Sequence, residues 1–116
     1  MRVLVLATEG EQSEAAATPP TPEAMAEYQK FNEELVKAGV VVAAGRLSPS
    51  SQGKRVRFEG KQRSVIDGPF AETKEIVGGY WLWEVRSLDE ALEWLKRAPF
   101  AGGIFEVRQV VESEGM

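Results

Sequence analysis

Cysteine and histidine are both missing from the 116 residues. Their absence removes disulfides, thiolate nucleophiles, imidazole bases and the zinc sites built from those ligands. Any acid or base must then be a carboxylate, a tyrosine or a lysine, and any metal a hard cation held by oxygens. A bound transition metal is not expected. Aspartate is scarce as well: among 18 acidic residues only Asp67 and Asp89 are aspartates. The chain carries no Asp-rich calcium loop and no phosphate-loop motif, so no cofactor is expected. No apolar run reaches bilayer length, and "MRVLVLATEG" lacks a small-residue cleavage site, which fits a strand better than a signal peptide. The expectation is a cytoplasmic protein without membrane contact. A net charge of -4 and a pI near 5.0 argue against a grip on nucleic-acid phosphates. The basic run "KRVRFEGKQR" is explained more simply by a hairpin.

What is present is ordinary soluble-domain composition, 43% hydrophobic and 28% charged, in a length that fits a single domain over residues 1–116. "RVLVLA" is apolar on both faces, as a covered central strand should be. "TEGEQSEAAATPPTP" carries polar residues, alanines and prolines without periodicity and is expected to be a mobile loop. At Thr21 the pattern becomes helical. Thr21 can cap, Pro22 suits the first helical position, and Ala24, Tyr28, Phe31, Leu35 and Ala38 recur on one stripe with Met25 beside them, until Gly39 offers a stop. "VVVAAGRL" is expected to be a buried strand. "KRVRFEGKQRSVID" alternates around Glu-Gly, with Val56 and Phe58 on one face and Arg55 and Arg57 on a solvated one. "GGYWLWEV" is a strand by its aromatic density. "RSLDEALEWLKRAP" then has Ser87 and Glu90 at capping-box spacing, with Leu88, Ala91, Leu92 and Leu95 expected to face inward and Pro99 to end the helix. "GGIFEVRQVVE" closes the set, followed by a frayed "SEGM".

This order predicts an α+β fold: a ferredoxin-like split βαβ arrangement with an extra hairpin and two helices on one face of a mainly antiparallel sheet. The strands are apolar on both sides and the helices cover one, so a second copy is expected to pack sheet against sheet in a homodimer, forming a dimeric α/β barrel.

The segment "DGPFAETKE", followed by Gly78-Gly79 and "EVRQV", resembles the DGPF-motif branch of the YCII-related superfamily. The resemblance extends through "YQKFNEELVKAGV", "GRL", "LDEALEWL" and "GGIFEVR". It implies a ferredoxin-like fold that dimerises into an α/β barrel, with a cleft between the sheet and its connecting loops. A few such relatives are small-molecule enzymes, one a dehalogenase of a chlorinated hydroxyquinol. Relatives of the YCII type use a histidine and aspartate pair in the cleft. The matching positions here are Tyr28 and Ala98, so that mechanism does not carry over.

The candidate site residues follow from rarity and context. Asp67 is either an Asx-turn former before Gly68 and Pro69 or a strand-end carboxylate that could take a substrate proton. Arg46 is the only charge in an apolar run and is either an anion clamp or a strand-end side chain reaching solvent. Tyr28 is a core residue or a proton donor. Phe70, Glu72 and Lys74 continue the loop, the two charged ones expected in solvent. Trp81 and Trp83 share one strand face as core, dimer contact or pocket wall. Three functions remain open. The first is a small-molecule-pocket protein with a binding or regulatory accessory role. The second is an enzyme of proton transfer or elimination, dehalogenase- or isomerase-like, using Asp67 as base, Tyr28 as donor and Arg46 as clamp. The third is a protein-partner module using the hairpin edge. Convergence of Asp67, Arg46 and Tyr28 on one cavity separates the second from the first.

Overall fold

The computed structural model describes residues 1–10, 21–69, 75–100 and 103–111. The elements run β1 (Arg2–Gly10), α1 (Pro22–Lys37), β2 (Val41–Arg46), a 3-10 turn (Ser50–Gln52), β3 (Lys54–Glu59), β4 (Gln62–Asp67), β5 (Glu75–Glu84), α2 (Leu88–Lys96) and β6 (Ile104–Gln109). The loop expected from Thr8 onward starts later than the sequence suggested, because β1 continues through Gly10; residues 11–20 and the tail at 113–116 lie outside the described residues. Four strands form one sheet in the order β2-β5-β1-β6, with every neighbouring pair antiparallel. β5 separates β1 from β2, so the strands joined through α1 are split by a third, as a ferredoxin-like α+β fold requires. β3 and β4 form a separate two-stranded sheet.

Local chemistry sets the helix ends. The Ala24 amide donates to the Thr21 hydroxyl at 3.1 Å, and Gly39, at φ 73°, closes α1. At α2 the Glu90 amide donates to the Ser87 hydroxyl, while the Glu90 carboxylate accepts from the Arg86 amide at 3.0 Å. That amide bond, joined by the Arg86 guanidinium, holds the Glu90 carboxyl below its usual range.

The core lies between the sheet and the helices. Val3, Val5, Trp81, Trp83 and Val85 face Phe31 and Leu35 of α1 and Ala91 of α2, all nearly or fully buried. The inward face of α2 centres on Ala91, with Trp94 and Leu95 packed behind it. Leu88 and Leu92, expected to face inward, remain 43% and 39% exposed. Leu92 is turned about 100° from Ala91 around the helix, and Leu88 sits at its first turn, where the packing stripe begins.

Two further expectations differ. β2 is an edge strand rather than a buried one, with a register shift between Val41 and Ala43 and Val42 45% exposed. Among the described residues no further strand pairs with its outer edge, so its apolar side chains stay largely exposed within one chain. The hairpin also exposes both faces: Val56 and Val65 are register partners, yet each is more than half exposed. Opposite the helices, Leu4, Leu6, Tyr80 and Leu82 are only partly buried, and β6 adds Glu106 and Arg108 to that side.

Candidate functional site

Strand register arranges the helix-facing residues in rows across the sheet. The first row holds Val41, Trp83 and Val3, and the second Ala44, Trp81, Val5 and Val107. The third runs Arg46, Gly79, Ala7, Phe105. Two small residues of the central strands, Gly79 and Ala7, therefore fall side by side in the third row. Above them, beneath the N-terminal half of α1, lies a cavity of about 610 Å³, within the size range of small-molecule sites.

The small floor has a packing cause. A side chain on Gly79 would begin 3.1 Å from the Gly45 carbonyl oxygen, so the approach of β2 to β5 leaves little room for one. The register of β1 against β5 shifts just after Ala7, and the Thr8 hydroxyl donates to the Ile104 carbonyl at 2.7 Å, tying β1 to β6 at the cavity edge.

Met25, Tyr28 and Gln29 of α1 form the roof, and Pro99 and Phe100 close the side between α2 and β6. The aromatic rings are organised. Tyr28 stacks on Trp81 with centroids 5.9 Å apart and planes 15° apart, and Phe100 stacks on Phe105 at 4.7 Å. Phe100 also lies 6.0 Å from Tyr28, so the two pairs form one wall. Burial pushes the Tyr28 phenol above its ordinary value of 10.0, against a smaller opposing pull from the Arg46 guanidinium. Tyr28 is therefore a neutral hydroxyl near neutrality, able to donate. Among the described residues its hydroxyl has no hydrogen-bond partner, and Arg46 has no carboxylate partner. The indole nitrogens of Trp81 and Trp83 are likewise buried without a described partner.

The sequence-derived candidates divide. Tyr28, Arg46 and Trp81 line the cavity; Trp83 is fully buried in the filled part of the core. Asp67 is elsewhere, at the end of β4, where it is the register partner of Lys54 and its Oδ1 accepts from the lysine Nζ at 2.6 Å. Both side chains are largely exposed. The next residues join the hairpin to the 3-10 turn. The Gly68 amide donates to the Gly53 carbonyl at 2.9 Å, and a side chain at Gly68 would run into the Ser50 carbonyl oxygen. A cis Gly68–Pro69 peptide follows. Asp67, Gly68 and Pro69 form a clasp between hairpin and turn, away from the cavity lining. Phe70, Glu72 and Lys74 lie outside the described residues. Ala98, opposite the aspartate position of the resemblance, packs against the core edge.

Sequence reasoning did not assign Ala7, Gln29, Phe100 or Phe105 to a site. One usable signal was the shrinking alternation Val3, Val5, Ala7 on one strand face, matched by Gly79 after Trp83 and Trp81 on its neighbour.

The fold and the cavity together define a ferredoxin-like α+β protein with a hollow roofed by its first helix. A profile of the YCII-related domain matches residues 1–114, and the chain belongs to that family. It is also similar to an uncharacterised protein of Rhizobium meliloti, with 37% identity over 87 residues that cover 72% of this chain and 70% of that one. No helix among the described residues is long and apolar enough to cross a membrane.

Proposed function

We propose that this is a small-molecule-pocket protein of the DGPF branch, a cytoplasmic homodimer with a binding or regulatory accessory role. The observation that carries the reading is the division of the candidates: Tyr28 and Arg46 meet at an aromatic cavity, while Asp67 pairs with Lys54 outside it. The described lining contains no carboxylate, lysine or histidine, so an elimination or isomerisation would have only tyrosine hydroxyls to draw on as a base. The enzyme reading therefore has less support than the binding one.

The dimer is supported by exposed area. Within one chain the sheet face opposite the helices leaves Leu4, Leu6 and Leu82 only partly buried, and the hairpin exposes Val56, Phe58 and Val65. Partner binding through the hairpin is a second reading, favoured by the exposure of Val56, Phe58 and Val65.

Sedimentation at micromolar concentration should give twice 12.8 kDa, and a persistent single-chain species would remove the dimer. Thermal melts against a panel of small aromatic compounds should reveal ligands that raise the melting temperature. Loss of that shift on filling the cavity would locate the site. Catalytic turnover that disappears in Asp67→Asn would favour the enzyme instead.

A further inference from the structure

We propose that the cavity takes an aromatic monocarboxylate: a flat apolar body with one carboxylate directed at Arg46. The inference rests on the small-molecule reading above and adds the chemistry of the ligand. Tyr28, Trp81, Phe100 and Phe105 present ring surfaces to the interior, a setting that favours a planar body over a branched polar one.

Charge supplies the second half. Arg46 is the only formally charged residue among the described lining, and no described carboxylate neutralises it, although the chain holds 18 acidic residues and a net charge of -4. A guanidinium presents a planar fork of donors suited to two carboxylate oxygens. Tyr28 adds a hydroxyl kept protonated by burial, also without a described partner and electrostatically coupled to Arg46. The site thus offers positive charge and donors but no anionic acceptor. A cationic ligand would face the guanidinium without compensation. A dianionic phosphate would bring a second charge for which the lining holds no second cation.

The test uses two probes with one carbon skeleton, naphthalene-2-carboxylate and naphthalene-2-carboxamide, titrated into the intact protein at neutral pH by calorimetry and tryptophan fluorescence. The carboxylate should bind about tenfold more tightly, the lower end of what a charge-assisted hydrogen bond contributes. In Arg46→Gln its affinity should fall to that of the carboxamide, whose own affinity should not change. Arg46 is exposed at a strand end, and a thermal melt checks that the variant folds. Tyr28→Phe supplies a second variant that keeps the ring; it should reduce the carboxylate preference by roughly threefold, as expected for one lost hydrogen bond. Equal affinity for the two probes, or a preference that survives both substitutions, would overturn the carboxylate assignment and leave the pocket standing. Binding of neither probe would overturn both.

Discussion

Toward the C-terminal end of α1, Phe31 and Leu35 meet Val3 and Trp83 with at most 5% exposure. Toward its N-terminal end, Met25 and Tyr28 stand over Ala7 and Gly79 and enclose a cavity instead. The same helix crosses the same strands in both places. What differs is the size of the side chains in successive rows: tryptophan and valine fill one end, alanine and glycine leave the other open. A pocket thus arises from a change in residue volume along a regular interface, and no special loop is needed for its floor. Because interiors are packed close to crystalline density, such a void lacks contacts that a ligand can restore.

The contrast can be broken from the filled end first. Leu35→Ala removes a fully buried side chain and should cost about 2–5 kcal/mol in denaturant unfolding. A smaller loss would mean that the filled end is already loose. Ala7→Leu tests the open end, by placing bulk where the cavity can receive it. Its stability should fall by less than the ~1–3 kcal/mol that added bulk costs a well-packed core, while binding of naphthalene-2-carboxylate, followed by tryptophan fluorescence, should fall by more than an order of magnitude. A large stability loss with binding intact would show that the void lies elsewhere.

Tyr28→Phe sharpens the comparison by separating ring from hydroxyl. The ring keeps its stack on Trp81, and the hydroxyl has no described partner to lose, so the unfolding free energy should hold within about 0.5 kcal/mol. The phenolate absorbance removed by this substitution should belong to a group ionising above pH 10.0. A phenol whose pKa is raised on folding contributes stability below the unfolded value, and that contribution is lost as pH rises toward the folded one. An ionisation at or below 10.0 would mean that burial does not dominate at Tyr28.

Asp67→Asn should have the smallest effect, because it touches neither end of the interface. Its partner Lys54 is exposed, so the lost ion pair should cost less than about 1 kcal/mol. Probe affinity should be unchanged. The same comparison with Gly68→Ala would show how much of the motif is backbone fit, since that side chain meets the Ser50 carbonyl.

The helices were legible because their signals are local. Thr21 and Ser87 cap where the sequence places them, and Gly39 stops α1 at the expected position. The split sheet followed from element order. Trp81 and Trp83 were assigned one face by alternation, but alternation alone could not tell the row beside a cavity from the row beneath a packed helix. That distinction needs register between β1, β5 and β2, set by the bulges after Ala7 and Val41. Asp67 illustrates the converse. Its rarity drew attention, whereas its surroundings depend on Lys54, thirteen residues earlier, arriving opposite it across the hairpin. Phe100 precedes β6 and Phe105 lies within it, and their stacking became visible only once β6 had been laid beside β1.

The missing histidine has a consequence for how the cavity would respond to acidity. Among the described lining, Arg46 is a guanidinium, which stays charged in proteins, and Tyr28 ionises only above its ordinary alkaline range. The described lining holds no side chain of a type that ordinarily changes charge between mildly acidic and mildly alkaline conditions, so its charge is constant over that range. A carboxylic acid entering it would show a binding profile shaped by its own ionisation, weak where it is protonated and level once it is deprotonated. The protein would behave as a fixed electrostatic reference, leaving the ligand to supply any sensitivity to pH.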